Sequence, residues 1–466
     1  RVVGVAAAVV GVELLLAHAR RHAARAGVVA RGVVLEAHGS GADAADAVMF
    51  ESMSLEVSYR LGAREDLERS ESKDLGLRIF IGAKQAIVSS TDISLSSLDE
   101  LLQRGLSMAA AMPDDPYCGL ADPNRLSQDI PDLDLNDPSE PTPDSLYELA
   151  AEAEAAALAI DGVSNSESAG AGWGRNRIGL VTSGGFASGY ATSSHSLFAS
   201  VIAGEGTEME RDYDFSSARH GADLEAAAKV GAAAGQQAVG RLNPRKVESQ
   251  RVPVVFDPRV SRSILGHFSG AISGASVARG TSFLKDRLGK AVFKPGVTIV
   301  DDPHRPRGLA SKPFDGEGVA NREWLLADDG VLTTWIMESA SARQLKLETT
   351  GHASRGTSGP PSPSTTNLYM RPGDMSPEDM LGDIPAGLYI TELIGFGVNG
   401  VTGDYSRGAA GFWIENGELA HPVSELTIAG NLKEMFLQTT PADDLTFRYG
   451  SNAPTLRIDG LTVAGT

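Results

Sequence analysis

Glycine constrains this chain more than any other residue type: 52 of its 466 residues carry no Cβ. Glycine weakens helix interiors and serves turns, bulges and close backbone contacts. A chain so rich in it is expected to be strand-rich with tight connections. The apolar pattern agrees. Leu55, Val57 and Tyr59 alternate with polar residues, and residues 76–82 and 86–90 repeat the signal, which predicts an antiparallel meander. Ser97-Leu-Asp-Glu100 reads as a capping box, with Leu98, Leu101, Leu102, Leu106 and Ala109 as the buried stripe behind it. Ser145-Leu-Tyr-Glu148 opens a second helix reaching Ile160, and the alanine-rich run 223–239 makes a third. Strands are expected at 177–182 and 189–203, between the second and third helices.

Asn243-Pro244 breaks the third helix, and a new strand opens at Val252. The expected domains are therefore 1–243 and 244–466. The predicted class is α+β: an N-terminal antiparallel sheet with packed helices, then a strand-rich, barrel-like α+β domain. In the second half Asp329-Gly330 and Asn416-Gly417 lie between apolar runs, a strong hairpin signal. Residues 349–366 have almost no large apolar side chain and read as a mobile loop. Residues 1–36 are atypical, apolar and then arginine-rich. Glu13 interrupts the apolar run, which falls short of the roughly 20 residues a membrane span needs, so one packed helix is expected there and no membrane association.

The net charge is −19, and no cluster of Lys and Arg stands out in the body of the chain, which argues against direct nucleic-acid binding. Cys118 is the single cysteine, so no intrachain disulfide and no cysteine-rich zinc site can form. That usage fits a reducing cytoplasm.

A zinc peptidase needs two imidazoles one helical turn apart and a carboxylate beside them. None of the nine histidines is followed by glutamate, so neither His-Glu-x-x-His nor His-Glu-x-x-x-His exists. His18 and His22 have the spacing but lie in an arginine-rich segment and read as surface residues. Gly395-Phe-Gly-Val-Asn-Gly400 matches G-x-G-x-x-G after a strand, but no helix follows it to face a pyrophosphate. A glycine-dense strand edge of this kind suits an extended peptide better. Gly266, Gly270 and Gly274 recur at helical spacing around His267 and predict a helix built for close packing.

Four runs in order, Val277-Ala-Arg-Gly-Thr-Ser-Phe-Leu284, Pro313-Phe-Asp-Gly-Glu-Gly318, Thr365-Thr-Asn-Leu-Tyr369 and the glycine-rich hairpin 403–418, resemble the TldD/PmbA peptidase family, also labelled modulator of DNA gyrase. In the zinc-bearing half of that family, His-Glu-x-x-x-His precedes the Gly-Thr-Ser element. The matching positions here, Leu265 to Gly270, read Leu-Gly-His-Phe-Ser-Gly. The resemblance implies the PmbA (TldE-type) subunit of a cytosolic metalloprotease complex that degrades or trims extended peptides. This chain is then the non-catalytic partner of a TldD-type zinc subunit in a heterodimer, or a homodimer when alone, with no catalytic or metal residue of its own. The zinc is expected in the TldD-type chain. The alternative is a peptide-binding or regulatory interaction protein of the gyrase-modulator type, without proteolysis. Candidate contacts to peptide or partner are His267, Asp315, Glu317, Asn367, Gly395 and Gly397.

Overall fold

The computed structural model describes residues 24–465. Its first half is a six-stranded, wholly antiparallel sheet of β1 (Ala44–Arg60), β2 (Ala63–Ile81), β3 (Lys84–Ser90), β4 (Val163–Thr182), β5 (Ala187–Ala203) and β6 (Glu210–Ala218), ordered β3-β2-β1-β4-β5-β6. Four helices pack on it: α1 (Ala24–Gly39), α2 (Leu95–Ala111), α3 (Pro143–Leu158) and α4 (Ala227–Gly240). The period-2 rule decides the faces. Odd-numbered residues of β1 turn to the helices, Ala45, Ala47 and Met49 under α1 and α2, and Leu55 and Val57 under α3 and α4. Even-numbered Val48 and Phe50 face the opposite side, where Phe314 and Val319 of the second half cover them.

The alanine and glycine content of α3 and α4 sets how closely they pack. Ala150, Ala153 and Ala157 oppose Ala227, Val230, Ala234 and Ala238 in one core. At Gly231 a Cβ would lie 1.9 Å from the Ala153 carbonyl oxygen, so only glycine fits that crossing. The same small residues hid the strand before Arg177. The sequence suggested 177–182, whereas β4 begins at Val163, because Ala169, Ala171 and Trp173 fill the space beneath those helices.

The second half closes a five-stranded barrel. β7 (Gln250–Phe256) pairs in parallel with β14 (Ala386–Ile394), which continues antiparallel through β15 (Asp404–Glu415) and β16 (Glu418–Asn431) to β19 (Leu456–Ala464). β19 pairs back to β7, and short β17 (Thr439–Pro441) extends it at one side. A second sheet comprises β8 (Ile299–Asp301), β9 (Trp324–Asp328), β10 (Val331–Leu332), β13 (Leu368–Met370) and β18 (Ser451–Asn452). β11 (Ala353–Ser354) and β12 (Ser362–Pro363) form a small ladder. Helices α5 (Pro258–Ala271), α6 (Gly274–Ala278), α7 (Ser339–Leu345), α8 (Pro377–Gly382) and α9 (Leu432–Leu437) complete it. Ile264, Leu265 and Phe268 of α5 join Val254, Phe256, Leu388 and Ile428 in the largest core.

The α+β class and the barrel-like second half are as the sequence suggested. Both hairpins form, with Asp329 and Gly330 at φ 46° and 78° and Asn416 and Gly417 at 52° and 86°. Two helix starts differ. Ser94, not Ser97, caps α2, and Thr142, not Ser145, caps α3, each side chain accepting from the backbone N–H three residues on. Asp92 and Pro143 account for the earlier starts: Asp92 bonds both the Ser94 amide and the Ser97 hydroxyl, and Pro143 supplies a preset φ at the first turn. The loop expected at 349–366 is held down instead. It contains β11 and β12, buries Thr350, His352, Ala353 and Thr357, and lays the Thr357 backbone where a Gly76 Cβ would come within 2.5 Å of it. Of the atypical first segment, α1 lies within the described residues and buries Ala30, Val33, Val34 and Ala37. His18 and His22 lie outside them.

Candidate functional site

The candidate residues fall in two places. The first is the exposed side of α5. Asp257 caps the helix by accepting from the Arg259 N–H, and Pro258 sits in the first turn. With Ile264, Leu265 and Phe268 turned to the core, Gly266, His267 and Gly270 face a cavity of about 390 Å³. The β14–β15 connection forms its rim. Gly395 turns at φ +79°, and a Cβ on Gly397 would lie 1.8 Å from the Ser406 carbonyl oxygen. Phe396 between them is 99% exposed. The strand β15 follows, with no helix to receive a pyrophosphate.

The glycine row around His267 works differently from expectation. α5 ends at Ala271, so Gly274 belongs to α6, where it packs against Met337 and Ser341. At Gly266 and Gly270 a Cβ would find nothing within 4 Å, so both leave the cavity floor open rather than admit a neighbouring backbone.

His267 is the one metal-ligand-type side chain at the positions the family resemblance assigns to zinc. Its ring stands edge-on to Tyr405, with centroids 5.7 Å apart, and its Nε2 is enclosed without a hydrogen-bond partner. Burial, with the Arg407 guanidinium second, pushes its pKa down to about 4, so the ring is neutral at pH 7. Arg407 is half-buried and donates one hydrogen bond, Nη2 to the Leu393 carbonyl at 3.3 Å. A cation there opposes a divalent metal, and among the described residues no group of three or more His, Cys, Asp or Glu is placed to hold one. The residues at this position do not fit zinc.

Asp315, Glu317 and Asn367 lie elsewhere, beneath the first sheet. Asp315 accepts from the backbone of Glu317 (2.8 Å), Val319 (2.9 Å) and Ala353 (3.1 Å). Burial first, and Glu317 second, raise its pKa to about 7. Glu317 accepts from Ser339 N–H at 2.8 Å and lies 3.9 Å from Arg78. The Asp-Gly-Glu turn is thus buried, with its acids turned to amides. Asn367 is also buried and spends its amide on Ala310, Asp302 and Ser311. Next to the pair, Asp46 is clasped by Arg78 (Nε at 3.0 Å) and Arg355. Burial would raise its pKa, but the two guanidiniums hold it below the usual carboxylate range. The sequence alone did not reveal this triad. Its signal was Arg78, a lone charge between Leu77 and Ile79 in an apolar run.

A larger cleft of about 680 Å³ separates β6 and α4 from the barrel. Its arginines are paired: Arg259 with Asp212 at 2.7 Å, Arg241 with Asp212 at 3.4 Å, and Arg448 with Asp214 at 3.2 Å.

Three family profiles match: PmbA/TldA metallopeptidase domain 1 over residues 45–109, the central domain over 136–242 and the C-terminal domain over 249–465. The chain is 39% identical over 436 residues to the metalloprotease PmbA of Escherichia coli O157:H7, covering 92% of this chain and 94% of that one. It is 36% identical over 419 residues to a Haemophilus influenzae homologue of that protein, covering 88% and 90%. A solved Bacteroides thetaiotaomicron protein, described as a candidate modulator of DNA gyrase, superposes with a TM-score of 0.86 at 25% identity over 94% of this chain and 98% of its own. TldE from Thermococcus kodakarensis shares the fold, with a TM-score of 0.83 at 20% identity over 94% of this chain and all of that one.

Proposed function

This chain belongs to the PmbA/TldA metallopeptidase family, and from that premise we propose that it is the non-catalytic subunit of a cytosolic peptidase complex acting on extended peptides. Its partner is a TldD-type chain that carries the zinc. One observation carries the reading: where the resemblance puts the metal helix, α5 offers one neutral imidazole beside the Arg407 cation. A general base and a metal-bound water both require a carboxylate or further ligands there. The lining of this cavity contains neither. No step through zinc is therefore assigned to this chain. Its own residues shape the glycine-floored cavity and its Phe396 rim, which a partner or a peptide can meet.

The test is reconstitution. Purified alone, the chain is expected to carry no stoichiometric zinc and to cleave no unfolded peptide. Adding a TldD-type subunit is expected to produce a heterodimer by native mass and cleavage in the same assay. Metal-dependent cleavage by this chain alone overturns the proposal.

A further inference from the structure

We infer that the cavity over α5 binds a carboxylate attached to an apolar group, namely the C-terminal end of a peptide with an apolar last residue. Arg407 is the one ionised side chain in the cavity lining; Asp, Glu and Lys are not among the lining residues. Its guanidinium meets a backbone carbonyl through one nitrogen, its Nε is enclosed without a partner, and no ion pair neutralises it among the described residues. A half-buried charge without a counterion is costly, and a planar guanidinium matches a carboxylate edge to edge. The arginines of the larger cleft differ on this point, since acids already hold them.

The rest of the lining fits the remainder of such a ligand. His267 adds no competing charge, and the Ser276 side chain at the cavity wall has no hydrogen bond among the described residues. Phe283, Val398 and Leu432 make an apolar wall. The bare backbone of Gly266 and Gly270 leaves room for a side chain. At about 390 Å³ the space suits one terminal residue, and small-molecule sites begin at roughly 300 Å³. Phe396 stands fully exposed at the rim, where the preceding residue of a peptide would pass. The choice of a peptide end over a free apolar acid rests on the proposed peptidase role; carboxylate recognition rests on the cavity alone.

The experiment measures binding of a fluorescein-labelled peptide ending in Ala-Ala-Leu to the full chain, as the free acid and as the C-terminal amide, with 3-phenylpropionate as competitor. The free acid is expected to bind about tenfold or more tighter than the amide. Arg407→Gln is expected to remove that difference. Gly270→Leu, at a helical position with open space, is expected to abolish binding while the thermal transition is unchanged or raised. Equal affinity for acid and amide, no binding at millimolar concentration, or full binding by Gly270→Leu overturns the inference. Competition by phenylpropionate at the peptide's own affinity assigns the cavity to a free apolar acid and overturns the peptide assignment. A shortened product by mass spectrometry bears on the proposed non-catalytic role instead, so the two failures are distinguishable.

Discussion

At the scale of single residues, two titratable groups make opposite pH signatures. His267 is held at about 4 by burial, with Arg407 second, against 6.5 for a free imidazole. The unfolded ring takes up a proton as pH falls below 6.5 and the folded ring does not, so His267 withdraws stability as pH drops through that window. His267→Gln is expected to lose less melting temperature than the parent between pH 6.5 and 4; parallel curves contradict this. Asp315 is raised to about 7 by burial and by Glu317, so it favours the folded state at low pH and loses that contribution as pH rises toward 7. In urea titrations, the deficit of Asp315→Asn is expected to be smaller at about pH 8 than at about pH 5. His267 and the Asp-Gly-Glu turn were both visible in the sequence. Their surroundings were not, because Arg407 lies 140 positions from His267 by numbering, and no local pattern joins them.

At the scale of elements, glycine does two opposite jobs that spacing alone does not distinguish. Gly231 in α4 sits where a Cβ would meet the Ala153 carbonyl oxygen at 1.9 Å; Gly270 in α5 has open space. Gly231→Ala is expected to destabilise by about 1–3 kcal/mol through overpacking of α3 against α4, despite alanine's better helix propensity. Gly270→Ala is expected to stabilise by up to about 1 kcal/mol, the propensity gain alone. Denaturant titration of both variants checks the pair, and equal signs would contradict the packing account. The elements themselves were legible where large apolar residues alternate or turn chemistry is strong, as in β1, β2 and the two Xaa-Gly hairpins. They were not legible in the first half of β4 or in residues 349–366. There alanine, glycine, serine and threonine are buried by partners distant in sequence, and composition looks like loop.

At the scale of the whole molecule, the triad Asp46, Arg78 and Arg355 joins the first sheet to the segment that composition marked as mobile. Thr357 adds a hydrogen bond to Asp74. Asp46→Ala removes the carboxylate that both buried guanidiniums share, leaving Glu317 at 3.9 Å from Arg78 as the nearest acid, and is expected to cost about 3–5 kcal/mol. Trypsin cleavage at Arg355 under native conditions is expected to appear in that variant and not in the parent; resistance in both would detach the triad from the anchoring of this segment. The barrel has a consequence of a different kind. Its first strand accepts its last: Arg251 donates to the Gly460 carbonyl across 209 positions, and the Val252–Phe256 stretch lies between β14 and β19. Closing so long a loop is entropically costly and makes assembly slow. Until Leu456–Ala464 has been made, β7 keeps an unpaired edge through most of the barrel's synthesis and β16 keeps one from Asn431 onward, so the nascent chain carries a sticky ribbon for long and completes its wall in a single late event.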